Sequence, residues 1–142
     1  MGADGLEVLL GHPGGPFFAK KDDGSWSVLK GEIEPGEDPY AVARREFEEE
    51  SGSAPPNGDA LSLGDIQQRG GKLVTAWALE GDLDPATAAS NTFEMEWPPH
   101  SGTVAAFPEI DRVEWFDLET ARRKIRAAQI PLLNRLAEHL PA

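Results

Sequence analysis

No apolar run in this chain is longer than a few residues, and its 12 prolines and 15 glycines fall between those runs as turn punctuation. Such spacing suits short strands and short helices and leaves nothing near the ~20 apolar residues that cross a bilayer. With 142 residues, folding should bury a little under ~70% of the unfolded surface. We therefore expect one domain over residues 1–142. Residues 6–10, 16–20 and 26–29 read as strands separated by Gly-Pro and Asp-Gly turns, and residues 63–69 and 72–79 flank Gly70-Gly71 as a hairpin. Asp84-Pro85 reads as the cap and first position of a one- or two-turn helix. Residues 92–97 alternate Phe93, Met95 and Trp97 against Glu94 and Glu96, a half-buried strand, and residues 113–116 form another. The tail reads as helical, with one apolar stripe of Leu118, Ala121, Ile125 and Ala128. A second stripe (Ile130, Leu133, Leu136, Ala137, Leu140) follows a break at Pro131. This irregular alternation points to an α/β sandwich rather than a doubly wound sheet.

Charge narrows the function. There are 25 acidic and 13 basic side chains, a net charge of −12, which argues against nucleic acid as a partner because such binding relies on basic groups displacing counterions. A small anionic ligand stays open. The absence of cysteine excludes disulfides and thiolate metal sites, and the first residues lack the basic start and apolar run of a signal peptide, so a cytoplasmic location is expected. No feature sets an oligomeric state. Between Glu32 and Glu50 eight acids face only Arg44 and Arg45, which places half of the net charge in that stretch.

Within it, Asp38-Pro39 is a strong helix start and Gly52 a plausible stop, predicting a helix over residues 39–51. At ~100° per residue, Glu46, Glu49 and Glu50 share one side, while Tyr40, Ala43 and Phe47 share the adjoining side and should face the core. Like charges three and four residues apart repel by ~0.2–0.5 kcal/mol per pair, and acids near a helix C-terminus oppose its dipole. Arg45 can pair with Glu49 but cannot neutralise three acids. A hard divalent cation, Mg²⁺ or Mn²⁺, can.

The full spacing is Gly31, five residues, Glu37, seven residues, Arg45-Glu46-Phe47, one residue, Glu49-Glu50, one residue, Gly52. It resembles the box of the Nudix hydrolase family, a specific motif occupying residues 31–53. Ser53 stands where an apolar residue is usual. The resemblance implies an α/β/α sandwich with a mixed sheet between helices. It also implies Mg²⁺-dependent attack of water on phosphorus in a nucleoside diphosphate linked to another group. It further implies Glu46, Glu49 and Glu50 as metal ligands, with Glu49 most central to catalysis. Arg45 would orient the carboxylates, and Glu37 and the Gly31 carbonyl would support the site. Lys30 is the nearest positive charge for substrate.

Trp26 to Gly31 is similar to the Trp-Pro-Lys-Gly lead-in of family members acting on diadenosine and diphosphoinositol polyphosphates, with Leu29 in place of the proline. Trp26 is then a candidate for base stacking. Glu109, six residues before Trp115, resembles an additional catalytic glutamate of the diadenosine tetraphosphate hydrolases. The implied substrate is a dinucleoside polyphosphate; a nucleoside triphosphate, or retention of a nucleotide without turnover, are the alternatives. Trp77, Trp97 and Trp115 read as core residues, Glu94 and Glu96 as a solvated strand face, and Arg69 and Lys72 as exposed hairpin charges. His100 reads as a loop residue, and Arg122, Arg123, Lys124 and Arg126 as a solvated basic face.

Overall fold

The structure, a computed structural model, describes residues 6–29, 36–67 and 73–138. Its strands form three antiparallel pairs. β1 (Glu7–Pro13) lies against β6 (Ile110–Asp117), β2 (Leu61–Gln67) against β3 (Leu73–Ala78), and β4 (Thr92–Glu96) against β5 (Val104–Pro108). The helices are α1 (Pro39–Ser51), α2 (Leu118–Lys124) and α3 (Ile130–Glu138), with 3₁₀ turns at Pro85–Thr87 and Ala127–Gln129.

Most elements lie where patterning put them, and the 3₁₀ turn at Pro85 carries the expected Asp84 cap. Four readings are corrected. Residues 16–20 are consecutive turns, because Gly15, at φ 96°, bends the chain and its carbonyl accepts from Phe18 N–H. Residues 26–29 make no regular strand; Trp26 and Ser27 form two isolated bridges, Ser27 antiparallel to Gly11 and Trp26 parallel to Ile125. The helical stripe from Leu118 ends at Lys124, since Ile125 turns extended (φ −74°, ψ 153°) to make that bridge, and Ala128 is exposed. Pro131 does not break a helix: it lies in the first turn of α3, where its missing N–H is no loss. β5 was not legible in the sequence. The Gly70-Gly71 turn lies outside the described residues.

Two apolar clusters hold these parts together. Leu10, Trp26, Ala121, Ile125 and Leu133 form one; Leu63, Ile66, Leu132 and Leu136 form the other. α3 contributes to both, with Leu133 facing the first and Leu132 and Leu136 the second. Trp26 is 1% exposed, and its Nε1–H donates to Asp22 Oδ1 at 2.8 Å. Beside it, Gln129 ties the bridging segment to the 3₁₀ turn: Val28 N–H donates to its Oε1 at 3.0 Å, and its Nε2 donates to Ser27 Oγ at 3.0 Å.

Leu133→Ala should cost about 2–5 kcal/mol, the usual range for emptying a buried leucine site. Urea unfolding followed by tryptophan fluorescence would check this; a loss under ~0.5 kcal/mol would contradict the placement of α3.

Candidate active site on helix α1

α1 begins and ends as its sequence requires. Asp38 is extended and its carboxylate accepts from Ala41 N–H at 3.1 Å, with Pro39 at the first helical position. Gly52 closes the helix at φ 78°, and its N–H donates to Glu48 O at 2.8 Å. A Cβ there would also lie 2.6 Å from Ala89 O, so glycine is required both for the left-handed turn and for the close chain approach.

That approach anchors the acidic end. Ala89 N–H donates to Ser51 O at 2.9 Å and Asn91 N–H to Glu49 O at 2.8 Å, supplying donors to carbonyls a helix end leaves open. Asn91 in turn accepts from Glu109 N–H at 2.9 Å. Glu109, at the β5–β6 corner, is thus two backbone hydrogen bonds from the end of α1, and it is exposed.

Arg45 lies among three carboxylates. Its Nη1 is 3.0 Å from Glu37 Oε2, its Nη2 3.5 Å from Glu46 Oε1 and its Nε 3.9 Å from Glu49 Oε1. Burial, and next the charge of Glu49, raise the Glu46 carboxyl above its ordinary value, with Arg45 opposing them. Glu50 is 7% exposed and lines a separate cavity of about 240 Å³ with Asp111 and Arg112. Among the described residues, therefore, no three potential ligands converge as a preformed metal cluster. The donor set still fits a hard cation: Glu46 and Glu49 present carboxylate oxygens close enough to repel each other, a repulsion that a divalent ion would relieve.

The remaining candidates separate. Lys30, Gly31, Arg69 and Lys72 lie outside the described residues. Trp26 is corrected from a stacking platform to a core residue: Phe116 meets its ring edge-to-face at 5.0 Å, His12 does so at 5.1 Å, and the Arg112 guanidinium lies 5.1 Å from its centroid. Trp77, Trp97 and Trp115, expected in the core, are only half-buried. Glu96 closes the β4–β5 turn by accepting from His100 and Gly102 N–H at 2.8 and 3.2 Å. Part of the basic face of α2 is tied down, Lys124 Nζ standing 2.6 Å from Asp22 Oδ2 and Arg123 Nε 3.4 Å from Asp23 Oδ2. Patterning missed Ala89, Asn91, Asp111 and Arg112. Nothing local marks them, because each reaches the site region through tertiary contact.

A family model described as the NUDIX domain matches residues 3–136. The chain belongs to the Nudix family. Membership places it on the α/β fold of that family. The solution structure of the E. coli ORF135 protein superposes with a TM-score of 0.56 at 23% identity, over 93% of this chain and 80% of that one. A Myxococcus xanthus protein named octanoyltransferase is 36% identical over 102 residues, 72% of this chain but 25% of that protein. The Nudix chain thus matches only about a quarter of that relative's length.

Because its folded pKa is raised, ionised Glu46 destabilises the metal-free protein above its titration and not below the ordinary value of 4.5. In EDTA, Glu46→Gln should therefore melt higher than wild type at pH 7, with the advantage gone by about pH 4. Equal melting at both pH values would contradict the crowding of Glu46 and Glu49.

Proposed function

We propose that this Nudix domain, acting as a single unit in the cytoplasm, is a Mg²⁺-dependent hydrolase of nucleotide phosphoanhydrides. Its best substrate is a bis(5'-nucleosyl) tetraphosphate, diadenosine tetraphosphate giving ATP plus AMP. The observation that carries the reading is the Arg45 cluster: one guanidinium within 4 Å of Glu37, Glu46 and Glu49 at the acidic end of α1. When bound, Mg²⁺, with Mn²⁺ as substitute, would supply positive charge at the transferring phosphoryl group and favour ionisation of the attacking water. Glu46 and Glu49 would hold the ion, with the Gly31 carbonyl and with Glu50 once its carboxylate turns from the neighbouring cavity, while Glu37 keeps Arg45 in place. Arg45 fixes the direction of the Glu46 and Glu49 carboxylates. Glu49, the more exposed of that pair, takes the proton of the attacking water at a carboxylate oxygen as the new P–O bond forms and the bridging P–O bond breaks. Lys30 and Glu109 flank the box in sequence and in the β5–β6 corner respectively. We assign them to phosphate binding and to a supplementary catalytic carboxylate.

A nucleoside triphosphate pyrophosphohydrolase, or a nucleotide-binding module without turnover, would use the same fold. Among the described residues no helix is long and apolar enough to cross a membrane. The name of the Myxococcus relative describes a protein of which three quarters lies outside the match, so acyl transfer is not assigned here.

Product analysis with Mg²⁺ on diadenosine tetraphosphate, nucleoside triphosphates, an oxidised purine triphosphate, ADP-ribose and a diphosphoinositol phosphate separates these readings. We expect ATP plus AMP from the first, faster than any triphosphate is attacked. Glu49→Gln should lower kcat by ~10²–10⁴ with an unchanged circular dichroism spectrum. Preferential release of pyrophosphate from a triphosphate would replace the substrate assignment. Turnover surviving Glu49→Gln would refute the role of Glu49, and silence across the panel would favour the binding module.

A further inference from the structure

The side of α1 adjoining Glu46 and Glu49 does not meet a close-packed core. Tyr40, Ala43 and Phe47 are half-buried and line a cavity of about 830 Å³ that also reaches β1, β2, β3 and α3. Close-packed interiors hold few voids larger than a water molecule, whereas ligand sites run to ~300–1,000 Å³. The volume here falls within that range.

Its lining and its charge specify a ligand chemistry. Four aromatic side chains, Tyr40, Phe47, Trp77 and Trp115, contribute to the wall. Tyr40 and Trp77 meet edge-to-face at 5.1 Å, and Trp115 is held by an Nε1–H bond of 2.8 Å to Leu83 O. Among the described residues, the charged lining is five acids, Glu7, Asp59, Glu80, Asp82 and Asp84, against Arg44. Arg44 is already committed: its guanidinium donates to the carbonyls of Pro56 and Pro55 at 3.1 and 3.4 Å and to Asn57 Oδ1 at 3.1 Å, and it lies 5.8 Å from the Tyr40 centroid. Asp84 also caps the 3₁₀ turn by accepting from Ala86 N–H at 3.0 Å, so an anionic guest would meet chiefly the carboxylates of Glu7, Asp59, Glu80 and Asp82. A cationic one is attracted by them and by the aromatic faces.

We propose that this cavity binds a small apolar cation, its ring or hydrocarbon body among the aromatic side chains and its amine at the carboxylates. The site is separate from the carboxylate cluster and opposite in chemistry to a polyphosphate. It stands whether or not the hydrolase reading holds.

Three probes with one body and three charges test it on the full chain without metal or nucleotide: 4-phenylbutylamine, 4-phenylbutan-1-ol and 4-phenylbutyrate. Binding is followed through the indole N–H resonances of Trp77 and Trp115. The amine should saturate and bind at least about tenfold more tightly than the carboxylate, with the alcohol between them. Ala43→Phe, which fills the cavity, should abolish binding of the amine. Because a packing change of that kind can unfold a protein, the double variant Glu80→Gln/Asp82→Asn, at two exposed positions, supplies an independent arm. It should bring the amine toward the alcohol and leave the alcohol unchanged. Absence of saturable binding, a carboxylate that binds as well as the amine, shifts that bypass Trp77 and Trp115, or full binding by folded Ala43→Phe would each overturn the proposal.

Discussion

Glu46, Glu49 and Glu50 crowd negative charge onto the end of a helix that is already the negative pole of its own dipole. Two contacts make that arrangement tenable, and both come from outside the last turn. Arg45 reaches back to Glu37 while remaining within 4 Å of Glu46 and Glu49. The segment carrying Ala89 and Asn91 brings two N–H groups to the carbonyls of Ser51 and Glu49. Those donors partly offset the charge of the helix end and fix where it lies. The same segment accepts from Glu109 and so ties the β5–β6 corner to α1. The acidic end is therefore placed by long-range backbone pairing as much as by its own sequence.

The limits of α1 were legible because capping is local chemistry: an aspartate, a proline and a glycine thirteen residues later mark both ends. β4 was legible because alternation is local too. What patterning could not see depends on partners distant in sequence. Trp26 illustrates this: its position beside the motif suggested substrate stacking, yet it is bridged to Ile125, about a hundred residues on, and stands in the middle of the main cluster. The three tryptophans read as core are half-buried instead. Indole is large enough to serve either role, and only the tertiary partners decide. β5 escaped notice for a related reason. Its Ala105-Ala106 pair carries little strand preference, and it is held by its register with Glu94 and Met95.

The two sides of α1 divide the labour of one helix. Ser51 is buried and its carbonyl, bonded by Ala89 N–H, fastens the end of α1, so the helix needs no complete apolar stripe to stay in place. Tyr40, Val42, Ala43 and Phe47 thereby line open volume. Arg44 and Arg45, adjacent in sequence, point to different tasks. Arg44 ties α1 to the loop of Pro55, Pro56 and Asn57, and Arg45 holds the carboxylates.

The lengths of the Arg45 contacts show where charge remains uncompensated. The guanidinium is closest to Glu37, at 3.0 Å, and its separation grows to 3.5 Å at Glu46 and 3.9 Å at Glu49. Coulomb attraction weakens with distance and with exposure, and Arg45 and Glu49 are both about half exposed. Most of what Arg45 supplies therefore goes to Glu37, and Glu46 keeps a raised carboxyl despite its arginine neighbour. A divalent cation drawn to Glu46 and Glu49 would compensate the two acids that Arg45 serves least and leave its pair with Glu37 intact. A metal so placed would divide the carboxylates with Arg45, and Glu37, holding the guanidinium at 3.0 Å, would keep it from competing for the metal's ligands.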